Sequence, residues 1–447
     1  MIRIHTPYGL GHPLNRRRPN TIGTVGAVVT LVAALVAGSA LPASAETAAP
    51  VGHRGTLISD LRADLSQYLA ARGTPEHISA LGLTITFAGH DDDRNISLGA
   101  GTTTYGGDTP VSPRALWQIG SNTKAFTSVM VLQLEAQRKL SINDTLGTWL
   151  PQYPAWSHVT IRQLLDMTSG IPDYTSQPAF AKALIADPNT IFSTAQLVSY
   201  AYGPPLGSGY AYSNTNYVLL QTIIERVTHD SYGDQLTRRI LIPLGLRDTC
   251  YAPYTCPPSF ARRMPTGYFF FPGVPTLQGY PVPPLNLTFA QGAGAIVSSL
   301  PDMATWDRAL YSGRMLPPKQ QRELESLVST TTGLPISTTT PSDPEGYGLG
   351  VVQITSPIIG TAWFYEGETY GFRVLHMYLP DSGTLIALAA NSAVGQADQL
   401  GSLLVAVYQT LHSDGAIPAH ESGAGPGLGL PLSPGSIPSP SGLPEMS

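Results

Sequence analysis

The chain contains the run Gln118-Ile119-Gly120-Ser121-Asn122-Thr123-Lys124, which marks the start of a helix. Apolar residues lead into the glycine, and apolar residues at positions 125, 129, 132 and 136 then recur with the period of a helix. On a helix that begins at Ser121, the side chain of Lys124 lies one turn further along the same face. Ser121 lies in the first turn, where unpaired N–H groups and the positive helix end favour a developing oxyanion.

The spacing of Ser121 and Lys124 is the first candidate for chemistry. A serine hydroxyl is a poor nucleophile until a base takes its proton, and a neutral lysine can do so where burial lowers its pKa. The same spacing also arises by chance, as a helix N-cap followed by a solvated lysine. The choice between these two interpretations depends on the rest of the chain.

Composition limits the class of protein. The 447 residues are 42% apolar and 12% charged, which supplies a core for one large domain or a few smaller ones. The formal net charge is -5, and the charges before Glu46 are all basic, so the remainder is more acidic still. Nucleic-acid binding needs a basic face, and the sequence has no basic stripe with interleaved aromatic residues. We therefore expect no nucleic-acid partner.

The N-terminus has the three parts of an export signal. Arg16, Arg17 and Arg18 supply the charge, an uncharged stretch follows, and Ala43-Ser44-Ala45 supplies a signal-peptidase site. We predict a signal peptide over residues 1–45 and a protein that is secreted or extracytoplasmic in the cell envelope, without a lasting membrane anchor. The alternative is an uncleaved anchor over residues 22–43, a stretch long enough to span a membrane.

Cys250 and Cys256 are the two cysteines of the chain. In an exported protein a closely spaced pair predicts a small disulfide loop, with free thiols as the alternative. Their spacing excludes a Cys-x-x-Cys redox or zinc motif. The ten histidines are scattered and no His-Glu-x-x-His motif occurs, so we predict no metal and no cofactor.

Strand and helix patterns follow one another in blocks. Residues 82–88 and 95–101 alternate with the period of strands, around a turn at residues 91–94. A mostly helical block runs from about residue 125 to 300, and a closing helix is predicted at residues 397–411. Four segments between them are rich in strand-forming residues: 349–354, 361–365, 372–379 and 384–391.

This order predicts an α/β (α+β) fold, with an antiparallel sheet flanked by helices and a second, mainly helical lobe. Residues 46–413 would form the domain, with the helical lobe at about residues 125–300. Residues 414–447 are rich in Gly, Pro and Ser and lack a period, which predicts a disordered tail. A cleft between two lobes is a common place for an active site.

Two segments supply candidate partners for the serine. Tyr212 and Asn214 lie two residues apart on a loop that opens a helix, so both can face a cleft. The amide of Asn214 offers a donor and an acceptor, which suits it to orient a lysine and a substrate amide. Residues 365–372 contain Gly367 near a strand end, where a substrate can approach the backbone closely. A backbone N–H there can pair with that of Ser121 as an oxyanion hole.

Together these segments resemble the serine β-lactamase and D-alanyl-D-alanine carboxypeptidase superfamily, in its class C β-lactamase-related, penicillin-binding-protein-like branch. The resemblance extends over about residues 57–411 and implies the β-lactamase/transpeptidase-like fold. It rests on the Ser121 motif and on segments at residues 134–151, 160–174, 210–217, 242–246, 294–298 and 346–350.

The resemblance also implies roles for individual residues. Ser121 would be the nucleophile that becomes acylated, and Lys124 would take or relay its proton. Tyr212 would act as general acid and base toward the leaving group, coupled to Lys124, and Asn214 would bind the lysine and the substrate. The backbone N–H groups of Ser121 and Glu368 would form the oxyanion hole.

The third motif departs from the family pattern. Relatives have Lys or His, then a variable residue, then Gly, whereas this chain has Tyr365, Glu366 and Gly367, followed by Glu368 in the substrate site. The basic residue of relatives helps to hold the free carboxylate of the substrate, and like charges about 4 Å apart repel by about 1 kcal/mol even in water. We therefore expect weaker use of substrates with a free carboxylate, unless Arg373 or another cation compensates.

We expect a secreted serine hydrolase that forms a covalent acyl-enzyme. Its substrate would be a small molecule or peptide, with a D-alanyl-D-alanine-type peptide of peptidoglycan as the main expectation and a related amide, ester or β-lactam beside it. An esterase or a β-lactamase of the same family is one alternative. A protein that lost turnover and only binds penicillin or peptidoglycan is the alternative of another class. The Gly-x-Ser-x-Gly motif of lipases is absent from the sequence.

Overall fold

The computed structural model divides the chain into two units, Met1–Ser44 and Ala45–Ser447. The structure describes residues 54–88, 95–269, 278–394 and 399–418, all in the second unit. The predicted signal peptide (1–45), the turn at 91–94 and residues 419–447 of the predicted tail lie outside the described residues. Within the described ranges, none of the helices is both long enough and apolar enough to cross a membrane.

Strands occur early in the described chain, around its middle and toward its end. In chain order they are β1 (Ala80–Thr86), β2 (Ile96–Gly101), β3 (Leu116–Gln118), β4 (Thr249–Tyr251), β5 (Tyr268–Phe269), β6 (Tyr280–Pro281), β7 (Ile296–Ser299), β8 (Leu327–Ser329), β9 (Pro335–Ile336), β10 (Glu345–Tyr347), β11 (Val352–Ser356), β12 (Gly360–Glu368), β13 (Arg373–Leu379), β14 (Thr384–Ala390) and β15 (Ser392–Ala393).

Helices occupy most of the chain between β3 and β4 and also flank the strands. They are α1 (Arg54–Arg72), α2 (Thr123–Ala136), α3 (Leu146–Trp149), α4 (Ile161–Leu165), α5 (Pro178–Ala186), α6 (Thr194–Ala201), α7 (Asn214–Thr228), α8 (Tyr232–Leu236), α9 (Ile242–Leu244), α10 (Leu300–Tyr311), α11 (Pro318–Leu324) and α12 (Leu400–Ser413). Short 3₁₀ turns include Gly120–Asn122, Tyr174–Ser176 and Gln291–Ala293.

The main sheet joins nine strands of the described chain in the order β2-β1-β14-β13-β12-β11-β10-β8-β9. Neighbouring strands are antiparallel throughout. α1 and α12 pack on each other and on this sheet, and α10 contacts β1, β13 and β14. The predicted antiparallel sheet with flanking helices is therefore confirmed.

The helical lobe is built around α2, which contacts α7, α8 and α11. Nearly all of its residues are buried, including the polar side chains of Lys124, Thr127 and Ser128. The Thr127 hydroxyl bonds to the carbonyl oxygen of Gly292 (2.7 Å), and that of Ser128 lies 3.1 Å from the hydroxyl of Tyr217. Packing of α2 on every side thus removes Lys124 from water, so the solvated lysine considered above does not occur.

Two small sheets were not predicted from the sequence. β7 pairs with both β3 and β4, and β5 pairs with both β15 and β6. The first of these sheets connects the strand before Ser121 with the segment where a disulfide joins Cys250 and Cys256. The N–H of Ile119 donates to the carbonyl of Ile296 (3.0 Å), which extends the pairing toward the serine. This small sheet therefore supports the chain as it enters the Ser121 turn.

Two ends of elements differ from the prediction near the serine. The helical run opens with the 3₁₀ turn Gly120–Asn122 and α2 begins only at Thr123, so Ser121 precedes the α-helix. β12 continues to Glu368 instead of ending at residue 365, because its last residues still pair with β13. The strand therefore reaches past the serine turn, and its final backbone groups lie beside it.

The structure also describes the first residues of the predicted tail. Residues 414–418 belong to the described chain, and Ile417 is only 4% exposed. Its N–H donates to the carbonyl oxygen of Leu411 in α12 (3.4 Å). An isoleucine in an otherwise polar and glycine-rich stretch was the signal for this packing. The predicted tail from residue 414 thus begins with residues that pack on α12.

Candidate active site

Gly120 makes the turn that presents the serine. Its φ is +53°, in the left-handed region that favours glycine. A β-carbon at this position would also lie 2.7 Å from the backbone nitrogen and oxygen of Glu368. Glycine thus permits both the turn and the close approach of β12. As a result Ser121 lies directly beside the end of that strand.

Three acceptors or donors surround the amine of Lys124. Its Nζ lies 3.0 Å from Ser121 Oγ, 2.8 Å from Asn214 Oδ1 and 2.8 Å from the carbonyl oxygen of Ala293. The side chain is 0% exposed. Burial holds the pKa of Lys124 well below its usual range, although the charge of Asp173 acts in the opposite direction. The lysine is therefore neutral far more readily than a surface lysine.

The hydrogen bonds show what a neutral Lys124 does in this position. A neutral amine has two N–H groups and one lone pair. The oxygens of Asn214 and Ala293 can only accept, so they take both N–H groups. The lone pair then faces Ser121 Oγ, where it can accept the hydroxyl proton. This arrangement makes Lys124 a suitable general base.

Tyr212 approaches the serine from the other side. Its hydroxyl donates to Ser121 Oγ at 2.7 Å, and Lys124 Nζ lies 4.8 Å from the centre of its ring. Burial raises the pKa of Tyr212, so the phenol keeps its proton at ordinary pH. Ser121 Oγ thus lies between a base that can remove its proton and an acid that can donate one.

The two backbone segments that carry the N–H groups of the predicted oxyanion hole lie in contact. A β-carbon at Gly367 would lie 2.7 Å from the backbone nitrogen of Ser121 and closer still to the carbonyl oxygen of Ile119. Only a glycine lets β12 come this near to the serine turn. The next residue is Glu368, whose backbone nitrogen approaches Gly120. The structure thus brings the two predicted N–H groups, of Ser121 and Glu368, to the same place.

Tyr365 takes the position of the basic residue and joins a chain of phenols. Its hydroxyl lies 3.5 Å from that of Tyr212 and 3.0 Å from that of Tyr347. Burial raises the pKa of Tyr365 well above its usual range, and the neighbouring Tyr212 acts in the same direction. The position is therefore neutral, and it carries no positive charge toward a substrate.

Arg373 does not replace the missing cation. It is 0% exposed, and its guanidinium donates to Glu76 Oε2 (2.7 Å) and to the carbonyl oxygen of Ser392 (2.8 Å). A buried arginine held by a carboxylate is not offered to a ligand in the cleft. Compensation by Arg373, which the sequence left open, is thus contradicted by the structure.

His376 in β13 makes structural contacts on both sides of its ring. Its Nδ1 lies 3.0 Å from Asn122 Oδ1, and its Nε2 lies 2.8 Å from the hydroxyl of Tyr311. Asn122 Nδ2 in turn donates to the carbonyl oxygens of Ile119 and Val374, both at 2.8 Å. Burial lowers the pKa of His376 to about 3, so the ring is neutral. The hydrogen bonds of Asn122 and His376 thus connect the serine turn to β13.

Several contributors were missed by sequence reasoning. The carbonyl of Ala293 has no side-chain signature that a motif search could detect. Tyr347 and Asp173 both lie in segments that resembled the family, residues 346–350 and 160–174, but neither received a role. Among the described residues, no group of three or more His, Cys, Asp and Glu side chains is arranged to hold a metal ion.

An apolar pocket lies beyond the end of β12. The ring of Tyr370 stands 4.7 Å from that of Phe289 and 5.5 Å from that of Phe269, centre to centre. Val282 and Gln118 also line it, and Gln118 is three residues before the serine. The pocket is small and its walls are mostly buried, with Tyr370 and Phe289 each 8% exposed.

A serine in contact with a buried lysine, set between an antiparallel sheet and a helical lobe, is the arrangement of serine hydrolases of the kind that includes β-lactamases and penicillin-binding proteins. The family model for beta-lactamases matches residues 79–409. The chain belongs to this beta-lactamase family.

The comparisons with individual proteins agree with the family. The chain is 29% identical to Penicillin-binding protein 4* of Bacillus subtilis over 295 residues, which are 63% of this chain and 62% of that protein. The match therefore spans less than two thirds of that relative's length. A D-stereospecific amidohydrolase from Streptomyces sp. is 27% identical, with a TM-score of 0.61 over 74% of this chain and 94% of its own.

A third comparison supports the fold alone. The D-amino acid amidase from Ochrobactrum anthropi SV3, in complex with L-phenylalanine amide, is 22% identical with a TM-score of 0.66. The alignment covers 80% of this chain and 99% of the amidase. Together with the match to the family model, this likeness confirms the predicted superfamily and its fold.

Proposed function

We propose that the protein hydrolyses amide bonds of D-amino-acid peptides and amides through a covalent acyl-enzyme on Ser121. The observation that carries this proposal is the environment of Lys124, whose buried Nζ lies 3.0 Å from Ser121 Oγ and 2.8 Å from both Asn214 Oδ1 and the carbonyl oxygen of Ala293. The similarity to a D-stereospecific amidohydrolase supports the stereochemistry of the substrate. The proposal keeps the peptidase chemistry expected of a D-alanyl-D-alanine carboxypeptidase relative.

The acylation step follows from these positions. Lys124 takes the hydroxyl proton of Ser121 as Oγ attacks the substrate carbonyl carbon, and the oxyanion forms beside the N–H groups of Ser121 and Glu368. Tyr212 then gives its proton to the leaving amine as the C–N bond breaks. The proton on Lys124 passes to the Tyr212 phenolate, which restores both groups.

Deacylation uses the same groups with water as the nucleophile. A water molecule attacks the ester carbonyl and loses one proton to the Lys124–Tyr212 pair. Ser121 Oγ leaves and recovers a proton from that pair, so the free enzyme and a carboxylic acid result. Neither step calls for a metal or an organic cofactor in the scheme.

The lack of a positive charge on the leaving-group side of the cleft favours substrates without a free carboxylate there. Tyr365 is neutral where relatives carry Lys or His, and Arg373 is held by Glu76. A substrate that ends in a carboxylate would therefore gain little from this side of the cleft. We propose that peptides and amides without a free carboxylate at the leaving group are better substrates, with esters as the next class.

The apolar pocket supports a proposal about the acyl side. An apolar D-residue could contact the exposed edges of Tyr370 and Phe289, each 8% exposed, whereas the methyl group of D-alanine offers less apolar surface for such a contact. Burial of apolar surface contributes about 25 cal/mol per Å². We therefore expect a higher kcat/KM for apolar D-amino acid amides than for D-alanine amide.

A substrate panel tests the proposal. D-alanine amide, D-phenylalanine amide, a D-Ala-D-Ala peptide, a chromogenic cephalosporin and p-nitrophenyl esters are offered to wild type and to Ser121→Ala, with L-amino acid amides as the matched control. We expect hydrolysis of the D-amides by wild type and none by Ser121→Ala. Preference for the cephalosporin would favour a β-lactamase, and preference for the esters an esterase. Absence of turnover and of covalent labelling would favour a protein that only binds its ligand.

We also propose that the protein is exported and cut after Ala45. The support is the signal-like sequence of residues 1–45 and the disulfide between Cys250 and Cys256, which suits an oxidising compartment. N-terminal sequencing of protein collected outside the cytoplasm should begin at Glu46. Intact residues 1–45 on membrane-bound protein would favour the uncleaved anchor instead.

A further inference from the structure

Asp173 makes a dense set of contacts behind the catalytic lysine. Its Oδ1 accepts from the backbone N–H of Asn214 (3.1 Å) and of Thr175 (3.2 Å). Its Oδ2 accepts from the hydroxyl of Thr175 and, at 3.4 Å, from Asn214 Nδ2. An ionised carboxylate can only accept, so every one of these neighbours must point a hydrogen toward it.

These contacts set the direction of the Asn214 amide. The Thr175 hydroxyl gives its one proton to Asp173, so its oxygen accepts from Asn214 Nδ2 at 3.2 Å. The NH₂ end of the amide therefore faces Thr175 and Asp173, and the oxygen end faces Lys124 Nζ at 2.8 Å. A flipped amide would set its NH₂ group against an N–H of Lys124 and would leave Asp173 facing an oxygen.

Asp173 also acts on the lysine through its charge, although burial raises the pKa of its own carboxyl and its hydrogen bonds to Thr175 and Asn214 act in the opposite direction. Burial lowers the pKa of Lys124, and the negative charge of Asp173 raises it, which limits the shift. The other titratable groups facing the amine in the described chain are Tyr212 and Tyr217, with ring centres 4.8 and 5.5 Å from Nζ. Burial raises the pKa of both tyrosines, so both are neutral.

We propose that Asp173 is a positioning residue for the catalytic base: through Thr175 and Asn214 it orients the amide that holds Lys124. This inference rests on the proposed role of Lys124. It gives a carboxylate a supporting role in a site whose reacting groups are a serine, an amine and a phenol.

The test is the pH profile of acylation by Asp173→Asn. The variant loses the charge, so the pKa of Lys124 should fall further and the acid limb of kcat/KM should move to lower pH. Loss of a charge-assisted hydrogen bond in the chain should lower the plateau by about 10- to 100-fold. Asp187→Asn, in an exposed turn of the same lobe, is the matched control and should leave both quantities unchanged.

Thr175→Val separates the two effects. It removes the hydroxyl link but keeps the charge of Asp173, so the acid limb should stay in place while the plateau falls about tenfold. If Asp173→Asn does not fold, Thr175→Val still tests the positioning role of Asp173. Melting temperatures of all variants are measured alongside, so that a loss of folded protein is not mistaken for a loss of positioning.

The proposal is overturned by a folded Asp173→Asn whose acid limb and plateau match the wild type, or by a fully active Thr175→Val. Failure of the underlying function is a different result. In that case wild type itself would not be acylated, or Ser121→Ala would remain active. A wild type that is acylated, with unchanged Asp173→Asn, removes only the role of Asp173.

Discussion

Lys124 illustrates how a common side chain becomes a base through its surroundings. In water its ammonium form would have no lone pair to offer to a serine. Lys124 is buried at the start of α2, which disfavours its charged form. In the neutral form, Asn214 Oδ1 and the carbonyl oxygen of Ala293 accept both of its N–H groups. The chemistry thus depends on packing around the lysine as much as on the lysine itself.

Replacing Lys124 by arginine should abolish most of the activity. Arginine keeps the length and polarity of the side chain but stays protonated, so it cannot take the proton of Ser121. We expect kcat for a D-amino acid amide to fall by about 10²- to 10⁴-fold, the usual contribution of a general base. Steady-state kinetics at several pH values provide the measurement. A variant within a few-fold of wild type would show that another group is the base.

Tyr365→His should change the preference between substrates. A protonated imidazole would place positive charge where a leaving-group carboxylate arrives, which Tyr365 does not do. We expect the ratio of kcat/KM for a D-Ala-D-Ala peptide to that for its C-terminal amide to rise by about tenfold, the effect of roughly 1.4 kcal/mol. Tyr365→Phe, which removes the hydroxyl without adding charge, is the control. An unchanged ratio in Tyr365→His would contradict our interpretation of this position.

The sequence predicted the side chains that meet at the site, but it did not predict the groups that hold those side chains in place. Ser121, Lys124, Tyr212 and Asn214 were chosen for their chemistry, and the structure places them together. Ala293 contributes only a backbone oxygen, which any residue has. Asp173 contacts the side chain of Asn214, which is 41 positions away, and its local sequence does not indicate that contact.

Among the secondary structure elements, the contact between β12 and the serine turn is the most demanding. Gly367 and Gly120 face the backbone of the opposite segment, where no β-carbon fits. The sequence predicted the strand but ended it three residues early, because glutamates and a glycine do not look like strand formers. Pairing with β13 overrides that local preference.

Gly367→Ala should move β12 away from the serine turn. The added methyl would lie 2.7 Å from the nitrogen of Ser121, so β12 must move away from the turn. Loss of one oxyanion donor lowers kcat by about 10²- to 10³-fold in acyl transfer, and we expect a loss of that order. Gly55→Ala, at the start of α1 with open space around it, is the control. Full activity of Gly367→Ala would argue against an oxyanion hole at this strand.

Short elements were beyond prediction for a different reason. β3, β4 and β7 contain three or four residues each, too few for a period to be recognised. They form a sheet only because tertiary packing brings them together. The long segments rich in strand-forming residues, such as β13 and β14, were predicted with nearly their observed bounds.

The stability of the entire protein should depend on a carboxyl group that the proposed chemistry does not use. Asp307 in α10 is buried, its oxygens have no hydrogen-bond partner among the described residues, and its Oδ2 lies 3.5 Å from His376 Nδ1. Burial raises the pKa of Asp307 well above its usual range. The folded state therefore binds this proton more tightly than the unfolded chain does.

This shift has a definite sign in the pH dependence of unfolding. Above the unfolded pKa of the carboxyl, the folded state holds more protons than the unfolded state, so stability falls as pH rises. Asp307→Asn has no such proton and should lose less stability between pH 4 and pH 8. We expect the melting temperature of the variant to exceed that of wild type at pH 8, by several degrees, and the two to converge near pH 4.

Thermal unfolding of wild type and Asp307→Asn across that pH range gives the measurement. His376 is present in both proteins, so its own titration largely cancels in the difference. A melting-temperature difference that does not grow with pH would contradict a protonated Asp307 in the folded state.

The central claim is that Ser121 carries the acyl group, and covalent labelling tests it most directly. Wild type and Ser121→Ala are treated with a fluorophosphonate, with and without excess D-amino acid amide, and the modified peptide is identified by mass spectrometry. We expect one phosphonyl group on Ser121 of wild type, slower labelling when the amide is present, and no label on Ser121→Ala. A wild type that hydrolyses the amide but stays unlabelled, or that is labelled on another residue, would contradict it.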